Sequence, residues 1–379
     1  MRTAILGDVA TINPRGEKVE DDAPVSFVGM AELDPITARA RPLESRRFRD
    51  VSSGYTTFRD GDILAAKITP CWENVKIGQA QLDHAVGVGS TEFHVVRPLE
   101  RLHDRYLLHF LRQSHVRATG ALRMIGSGGQ RRVPAIFLRE LRIPLPPLPE
   151  QRRIAAILDH ADALRAKRRQ VLAHLDSLTQ AIFHDMFSSV RDRIALGELA
   201  VWRSGGTPTR TRPEFFEGDI PWYSSGELGS MYVDDSKEHI SAEALLMSSA
   251  KAIPAGAILL GMYDTAALNS SIATSPGACN QAVAFAIVDD GAALAEFVYF
   301  AVQAIRPQVN KRRRGVRQKN LNLSMIRQIE IPRASIDDQR EFAARVEQLT
   351  EQRKVVEVAE ECSDELFASL QSRAFRGEL

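Results

Sequence analysis

Residues 149–190 read PEQRRIAAILDHADALRAKRRQVLAHLDSLTQAIFHDMFSSV, and this stretch decides the fold of the chain. After Pro149 it contains neither proline nor glycine, and its apolar residues recur at steps of three and four. That spacing places them on one side of an α-helix, as in the seam of a coiled coil, with one charged interruption at Arg168. Proline is tolerated in the first helical turn, so Pro149 marks the start. The predicted seam is Ile154, Ile157, Ala161, Leu164, Val171, Leu175, Leu178 and Ile182.

A second stretch of the same kind ends the chain and closes at Gly377. Each helix would run about 40 residues, or about 60 Å. A helix of that length cannot bury a one-sided stripe against a small domain alone, so we expect the two helices to pair antiparallel. The alternative is that each packs along its own domain or along another protein. The second seam is Phe342, Val346, Leu349, Val356, Ala359, Leu366 and Leu370.

The chain contains an internal repeat that covers both halves. Five short strings return in the same order, at offsets that drift from 188 residues (Gln130 to Gln318) to 195 residues (Gly61 to Gly256). Loops of different length explain such a drift. The matched strings are Leu6–Ala10 with Leu196–Ala200, Gly61–Leu64 with Gly256–Leu259, Gln130-Arg131 with Gln318-Lys319, Leu141–Pro144 with Ile329–Pro332, and Pro149–Arg152 with Asp337–Arg340.

Ahead of each long helix lies a mixed region with short apolar runs bounded by Gly, Asp or Pro, such as Val25–Val28 and Val283–Ala286. Such runs indicate short strands, and helices are predicted at 102–117 and 292–305. The fold class is therefore α+β, with two tandem α/β domains separated by long helices that pair as an antiparallel coiled coil. The predicted segments are domain 1 at 1–148, helix 1 at 149–190, domain 2 at 191–336 and helix 2 at 337–379.

The composition is that of an ordinary globular protein, with 44% hydrophobic and 26% charged residues. A net charge of +1 does not advertise nucleic-acid binding, so any basic surface must be local. The three cysteines, Cys71, Cys279 and Cys362, form no CxxC pair, which disfavours a zinc site and a disulfide framework. We see no signal peptide and no apolar run that spans a membrane, and we expect a cytoplasmic protein.

Three strings carry a family resemblance: Ile143–Gln151 (IPLPPLPEQ), Ser204–Thr209 (SGGTPT) followed by Gly218–Trp222 (GDIPW), and Ala374–Leu379 (AFRGEL). In this order they resemble the specificity subunit of Type I restriction–modification enzymes, over essentially the whole chain. Two strings depart from the family pattern. The first half reads Ile12–Gly16 in place of SGGTPT, which argues against a shared DNA target for the two domains. The second junction, Ile331–Ile336, lacks the Pro-Pro pair.

The resemblance implies that each domain is a target-recognition domain that reads one half of a split double-stranded DNA target. It implies two methyltransferase subunits bound to the helices and an ATP-driven restriction subunit. S-adenosylmethionine, ATP and magnesium would belong to those partners, and this chain would hold no cofactor. The length of the paired helices would then set the gap between the half-sites.

Two arginine-rich segments are the best candidates for the DNA contacts, because they occupy matching places in the repeat. The segment 112–142 has seven arginines against the single acid Glu140, and 310–327 has seven basic residues and no acid. The usual reading of such a run is a solvated face, but the matching placement favours phosphate and base contacts. The predicted DNA-binding residues are Lys67, Gln130, Arg131, Arg132, Arg312, Arg313, Arg314, Arg317, Gln318, Lys319 and Asn320.

Thr207 and Thr209 complete the predicted set, either as donors to phosphates or merely as residues that shape a turn. For three aromatic residues, Trp72, Trp222 and Tyr263, core packing is favoured over a place in the DNA groove.

The sequence carries no catalytic signature. It has no Asn-Pro-Pro-Tyr string for base methylation, no glycine-rich turn for S-adenosylmethionine, no GxxxxGK[ST] loop for ATP and no HExxH spacing. We therefore expect a non-catalytic DNA-recognition subunit. Two alternatives stay open: a helical scaffold that never binds DNA, and a stand-alone modification enzyme.

Overall fold

The structure, a computed structural model, describes residues 2–127, 129–263, 266–313 and 320–379, with the backbone alone for residues 312 and 313. The chain divides into two compact units, residues 1–171 with 356–379 and residues 172–355. Each unit therefore contains one α/β head and half of each long helix. The four consecutive segments predicted from the sequence describe another level of organisation and stay a prediction.

The first unit contains twelve short strands among the residues described. They are β1 (Thr3–Ile5), β2 (Ala10–Ile12), β3 (Pro24–Val28), β4 (Leu33–Asp34), β5 (Arg39–Ala40), β6 (Glu44–Arg47), β7 (Thr56–Arg59), β8 (Ile63–Ala66), β9 (Ile77–Ala80), β10 (Val86–Gly89), β11 (Phe93–Pro98) and β12 (Arg142–Pro144). Its helices are α1 (Leu6–Val9), α2 (Phe48–Val51), α3 (Asp104–Leu111), α4 (Ser114–Leu122), α5 (Ala135–Glu140) and the first part of α6 (Leu148–Phe187).

The second unit repeats this plan. Its strands are β13 (Arg193–Ala195), β14 (Arg203–Ser204), β15 (Ile220–Tyr223), β16 (Tyr232–Val233), β17 (His239–Ile240), β18 (Ala252–Ile253), β19 (Ile258–Gly261), β20 (Ser270–Ala273), β21 (Gly277–Cys279), β22 (Val283–Ala286) and β23 (Glu330–Pro332). Its helices are α7 (Leu196–Leu199), a 3-10 turn (Pro213–Phe216), α8 (Ala242–Met247), α9 (Ala295–Arg313), α10 (Leu323–Arg327) and the first part of α11 (Ile336–Arg376).

The sheet orders confirm the repeat. In the first unit they are β1-β12, β6-β3-β10-β7 and β2-β11-β8-β9-β5-β4, and in the second β13-β23, β17-β15-β21-β18 and β14-β22-β19-β20-β16. The order differs only by the extra strand β4 in the first unit. The central strands β8 and β19 are buried along their whole length, because both faces of each are covered. The α+β prediction is confirmed.

The long helices pair antiparallel, as predicted. In the first unit Arg165 of α6 bonds Asp364 of α11 at 2.5 Å, and four residues later Arg169 bonds Glu360 at 2.9 Å. In the second unit Phe183 packs on Phe342 with ring centroids 5.4 Å apart. Residue numbers rise along α6 as they fall along α11, which is the signature of an antiparallel pair.

The predicted seam is wrong at three positions of α6. Leu164, Val171 and Leu178 are 41%, 44% and 45% exposed. In the first unit, part of the interface is an ionic network instead, in which Arg165 also bonds Asp162 at 2.8 Å. With 3.6 residues per turn, positions seven residues apart shift gradually around the helix. The arginine–carboxylate pairs therefore fix which side of α6 faces α11, and the spacing of apolar residues does not show that side. On α11, Leu366 is likewise 59% exposed.

A buried glutamine fixes the first turn of each long helix to its head. The side chain of Gln151 is fully buried; it accepts a bond from the backbone of His103 at 2.8 Å and donates to the carbonyls of Arg101 and Pro146. Gln339 makes the same three contacts in the second unit, with Leu294, Ala292 and Ala334. Each amide is fully satisfied, so its burial stabilises the junction rather than costing free energy.

Two glycines of the second unit lie where a side chain has no room. A Cβ on Gly205 would overlap the carbonyl oxygen of Cys279, and one on Gly206 would overlap the carbonyl oxygen of Ser249. Gly226, by contrast, has no atom within 4 Å of its Cβ position. Close backbone approach, rather than backbone flexibility, explains the paired glycines of the SGGTPT string. Across the described ranges, no helix combines the length and apolarity needed to cross a membrane.

The glutamine contacts yield a first prediction. Replacing Gln151 with Leu leaves one backbone N–H and two carbonyls without partners, which should lower the free energy of unfolding by about 2–4 kcal/mol. Calorimetric unfolding of the full chain measures the loss. Gln170→Leu, at an exposed position of the same helix, is the control and should change little. Equal melting temperatures for the two variants would contradict a role for the Gln151 contacts.

The paired glycines yield a second prediction. Gly205→Ala should destabilise the second unit by about 3 kcal/mol, because the backbone of Cys279 cannot move aside cheaply. Gly226→Ala should be neutral or slightly stabilising. Thermal unfolding of both variants decides the matter, and a Gly205→Ala protein as stable as Gly226→Ala would show that the strands separate freely.

Candidate nucleic-acid interface

The basic loop of the first unit is a hairpin. Ile125 and Arg132 exchange both backbone bonds, at 3.0 and 2.8 Å, and so close the loop between them. Gly126 and Gly129 have φ angles of +124° and +76°, a region that glycine enters without strain. The glycines therefore allow a tight turn that carries Gln130 and Arg131 at its end; Gly128 lies outside the described residues.

Lys67 lies beside this hairpin. The backbone N–H of Thr69 donates to the carbonyl of Arg131 at 3.0 Å, and that of Val133 donates to the carbonyl of Lys67 at 2.8 Å. The segment after β8 thus adds a single antiparallel bridge to the hairpin, between Ile68 and Arg132. The fold brings together four residues that the sequence nominates for DNA contact: Lys67, Gln130, Arg131 and Arg132.

Arg132 is held by an acid that the sequence analysis did not single out. Its guanidinium forms a two-pronged ion pair with Glu92, at 2.7 Å from Nη2 to Oε1 and 2.9 Å from Nε to Oε2. The hydrogen bond from Arg132 outweighs the effect of partial burial and holds the pKa of Glu92 below its usual value. The donors of Arg132 are therefore committed to the protein, and its part in DNA contact stays a prediction.

Arg131 presents the opposite situation. Its side chain is exposed, and among the described residues no group pairs with its guanidinium. Gln130 is exposed as well, and its side-chain amide bonds no described residue, since only its backbone is engaged, by Arg132 at the carbonyl and by Ser127 at the N–H. These two side chains remain the groups of the loop that a ligand can engage at no cost in broken contacts.

In the second unit, one backbone contact fixes the register of the equivalent segment. Leu321 donates to the carbonyl of Met262 at 2.7 Å, as Val133 does to Lys67. Asn320, which is exposed, therefore takes the place of Arg132, and this register agrees with the pairing of Gln130 and Gln318. The predicted contacts Arg314, Arg317, Gln318 and Lys319 lie outside the described residues, as do the side chains of Arg312 and Arg313.

Thr207 lies in an open cleft of about 730 Å³ in the second unit, with Lys251 also on its wall. Its hydroxyl bonds the amide oxygen of Gln281. The hydroxyl of Thr209 bonds that of Thr211 at 2.8 Å. Both threonines thus have protein partners, which fits the interpretation that they shape the turn; phosphate contact stays a prediction. Lys251 was missed because it stands alone in the sequence.

Two arginines of the first basic segment are structural, which corrects the interpretation of the whole segment as a source of DNA contacts. Arg112 donates to the carbonyls of Ile77 and Pro35, both at 2.8 Å, and Arg117 donates to the carbonyl of Glu73 at 3.0 Å. Burial lowers the pKa of Arg112 to about 10. These guanidiniums cross-link backbone loops inside the head and are not available to DNA.

The aromatic residues divide. Trp72 and Trp222 are buried, as predicted, with 0% and 3% exposure, and the indole N–H of Trp222 donates to the carbonyl of Gly206 at 3.1 Å. Tyr263 is 37% exposed, so its predicted place in the core is wrong. It follows β19, next to the segment that Leu321 joins. Within the described ranges, no group of three or more His, Cys, Asp or Glu side chains is placed to hold a metal ion.

Comparisons with known proteins agree on one family. The family model for the Type I restriction modification DNA specificity domain matches twice, at residues 5–174 and 192–358. Two Escherichia coli proteins are similar: the specificity subunit of the Type I restriction enzyme EcoEI, 38% identical over 198 residues, and that of EcoAI, 36% identical over 201 residues. Each match covers 52% of this chain and about one third (33%) of the relative's length.

Two solved structures share the fold. One, described as the structural basis of complex assembly and conformational transition of the type I R-M system, aligns over 100% of this chain and 98% of its own, with a TM-score of 0.62 and 18% identity. The other is the Type-I restriction-modification system S subunit from M. genitalium, which covers 99% and 96%, with a TM-score of 0.59 and 14% identity. Because the two copies of the family model span most of the chain, this protein belongs to the Type I restriction modification DNA specificity family.

Proposed function

We propose that this chain is the DNA-reading subunit of a Type I restriction–modification complex, with one head for each half of a bipartite target. The observation that carries the proposal is the duplicated attachment of a basic segment. In both heads the end of this segment bonds the residue that directly follows the central strand. Val133 bonds Lys67 after β8, and Leu321 bonds Met262 after β19. One chain with two copies of this loop attachment is suited to a DNA target with two halves.

The loop of the first head carries positive charge, as the binding of a polyanion such as DNA requires. Arg131 and Lys67 contribute two cations without a described ion-pair partner, while Arg132 and Glu92 neutralise each other. Neutralising phosphates releases condensed counterions, and this provides affinity without sequence information. The side-chain amide of Gln130 adds a donor and an acceptor that complement the N7 acceptor and the N6 amino donor of adenine in the major groove. The loop thus combines phosphate contact with base contact, which is the combination that specific recognition needs.

Both units also expose apolar side chains on their parts of the long helices. Leu164 and Val171 in the first unit and Leu178 in the second recur every seven residues along α6, and each exposes more than two fifths of its surface. On α11, Val355, Val358 and Leu366 are 71%, 61% and 59% exposed. We propose that two methyltransferase subunits dock on these helices and that a restriction subunit joins the assembled complex in the cytoplasm.

We also propose that the chain has no catalytic chemistry of its own. The support is its sequence, which has none of the strings for methyl transfer or ATP hydrolysis considered above. S-adenosylmethionine, ATP and magnesium would then act in the partner subunits. Methyl transfer by the purified chain alone would support the alternative of a stand-alone modification enzyme. Failure to bind DNA would support the alternative of a helical scaffold.

The free guanidinium of Arg131 yields the prediction that tests DNA binding. Duplex affinity of the full chain, measured at several salt concentrations, should fall with salt, and Arg131→Gln should reduce the slope by about one unit through loss of one phosphate contact. Arg376→Gln, which removes an arginine paired with Glu378 at the end of α11, is the matched control. A wild-type chain that binds no duplex refutes the function, whereas an unchanged slope in Arg131→Gln refutes only the loop assignment.

The apolar positions of α6 yield the prediction that tests docking. Val171→Glu puts a charge into the proposed contact and should weaken co-purification with the methyltransferase about tenfold or more. Gln170→Glu, one residue away on an exposed polar position, should leave it unchanged. Circular dichroism confirms that both variants keep their helices. Undiminished co-purification of Val171→Glu would place the docking surface elsewhere.

A further inference from the structure

One apolar side chain at the base of the basic loop faces water. Ile125 is 66% exposed, although it is the residue that closes the hairpin with Arg132. Large apolar residues are exposed singly on most proteins, so exposure alone identifies no ligand. The neighbours of Ile125 are what give its exposure a meaning.

The hairpin geometry fixes those neighbours. Because Ile125 and Arg132 exchange both backbone bonds, their side chains stand next to each other on one face. Ile68 pairs with Arg132 from the other side, and its side chain joins the same face. Val133, the next residue of the strand, is 1% exposed and points to the opposite, buried side. The outer face therefore carries a row of isoleucine, arginine and isoleucine, which we call the hairpin row (Ile125, Arg132 and Ile68).

An ion pair fixes the centre of the hairpin row. Glu92 holds the Arg132 guanidinium by three contacts of 3.1 Å or less, so the guanidinium lies against Glu92 and leaves Ile125 uncovered. Lys67 and Arg131 directly precede Ile68 and Arg132, so their side chains leave the backbone on the face opposite the row, and they carry charges without a described ion-pair partner. The hairpin thus offers an apolar contact on one face and two cations close to it on the other. Duplex DNA complements both features, since its phosphates meet the cations and the thymine 5-methyl group is the apolar feature of its major groove.

We propose that Ile125 contacts the 5-methyl group of a thymine in the half-site that the first head reads. The proposal rests on the proposed DNA-reading function and names one of its specificity-determining residues.

The test replaces thymines of the target one at a time with deoxyuridine, which lacks only the methyl group. The target is found by mapping methylated bases, and affinity is measured by fluorescence anisotropy with the full chain assembled with its methyltransferase subunits. One position in one half-site should bind about fourfold more weakly, as expected for the loss of one buried methyl group. The absence of any such position, or a half-site that contains no thymine, overturns the proposal.

Two variants assign the effect to Ile125. Ile125→Val keeps an apolar contact and should keep the deoxyuridine penalty, while Ile125→Asn presents a polar amide in its place and should abolish it. Leu246→Gln, at a leucine that is 84% exposed in the second unit, should leave the penalty intact. A penalty of equal size in Ile125→Asn overturns the proposal. A wild-type complex that binds no DNA overturns the proposed function instead.

Discussion

The contact on which the rest of the structure depends is the buried glutamine at the start of each long helix. A long helix joined to a small domain by one peptide bond would swing freely. The amide of Gln151 removes that freedom, because it bonds the segment before α3 and the proline-rich junction before α6 at once. Gln339 does the same for α11. A side chain with one acceptor and two donors, all used, sets the direction in which each helix leaves its head.

The charged residues of the molecule show why net charge and arginine counts mislead in opposite directions. A net charge of +1 hides a local excess around Arg131 and Lys67. The count of seven arginines in 112–142 exaggerates that excess, because the guanidiniums of Arg112 and Arg117 donate their hydrogen bonds to backbone carbonyls inside the head. An arginine can serve a loop interior as readily as a phosphate, since its five donors suit either. Only the fold separates the two uses.

Periodicity and repetition made much of this architecture predictable. The repeat predicted two heads of one topology, and the run without proline or glycine from Glu150 to Val190 predicted a long helix there. The side of α6 that faces α11 was not predictable. Arg165 and Arg169 lie in this interface because they bond the carboxylates of Asp364 and Glu360, which are about 190 to 200 residues away in the sequence. The partner of Arg132 was equally hidden, since Glu92 is 40 residues distant and no local pattern marks it.

The same distinction explains how one scaffold can carry the two half-site readers that we propose. The residues that define the scaffold are buried and recur in both units: the amides of Gln151 and Gln339, and the backbone bonds from Val133 and Leu321. The residues that differ lie where the scaffold tolerates change. Arg132 gives way to Asn320, the first unit adds β4, and the second unit has the glycine-lined cleft at Thr207. Replacing an exposed loop side chain changes the free energy of unfolding little. Replacing a buried amide removes all three hydrogen bonds by which its side chain joins the helix to the head. The exposed loop residues of each head can therefore diverge separately, while the buried contacts that position the loops stay constant.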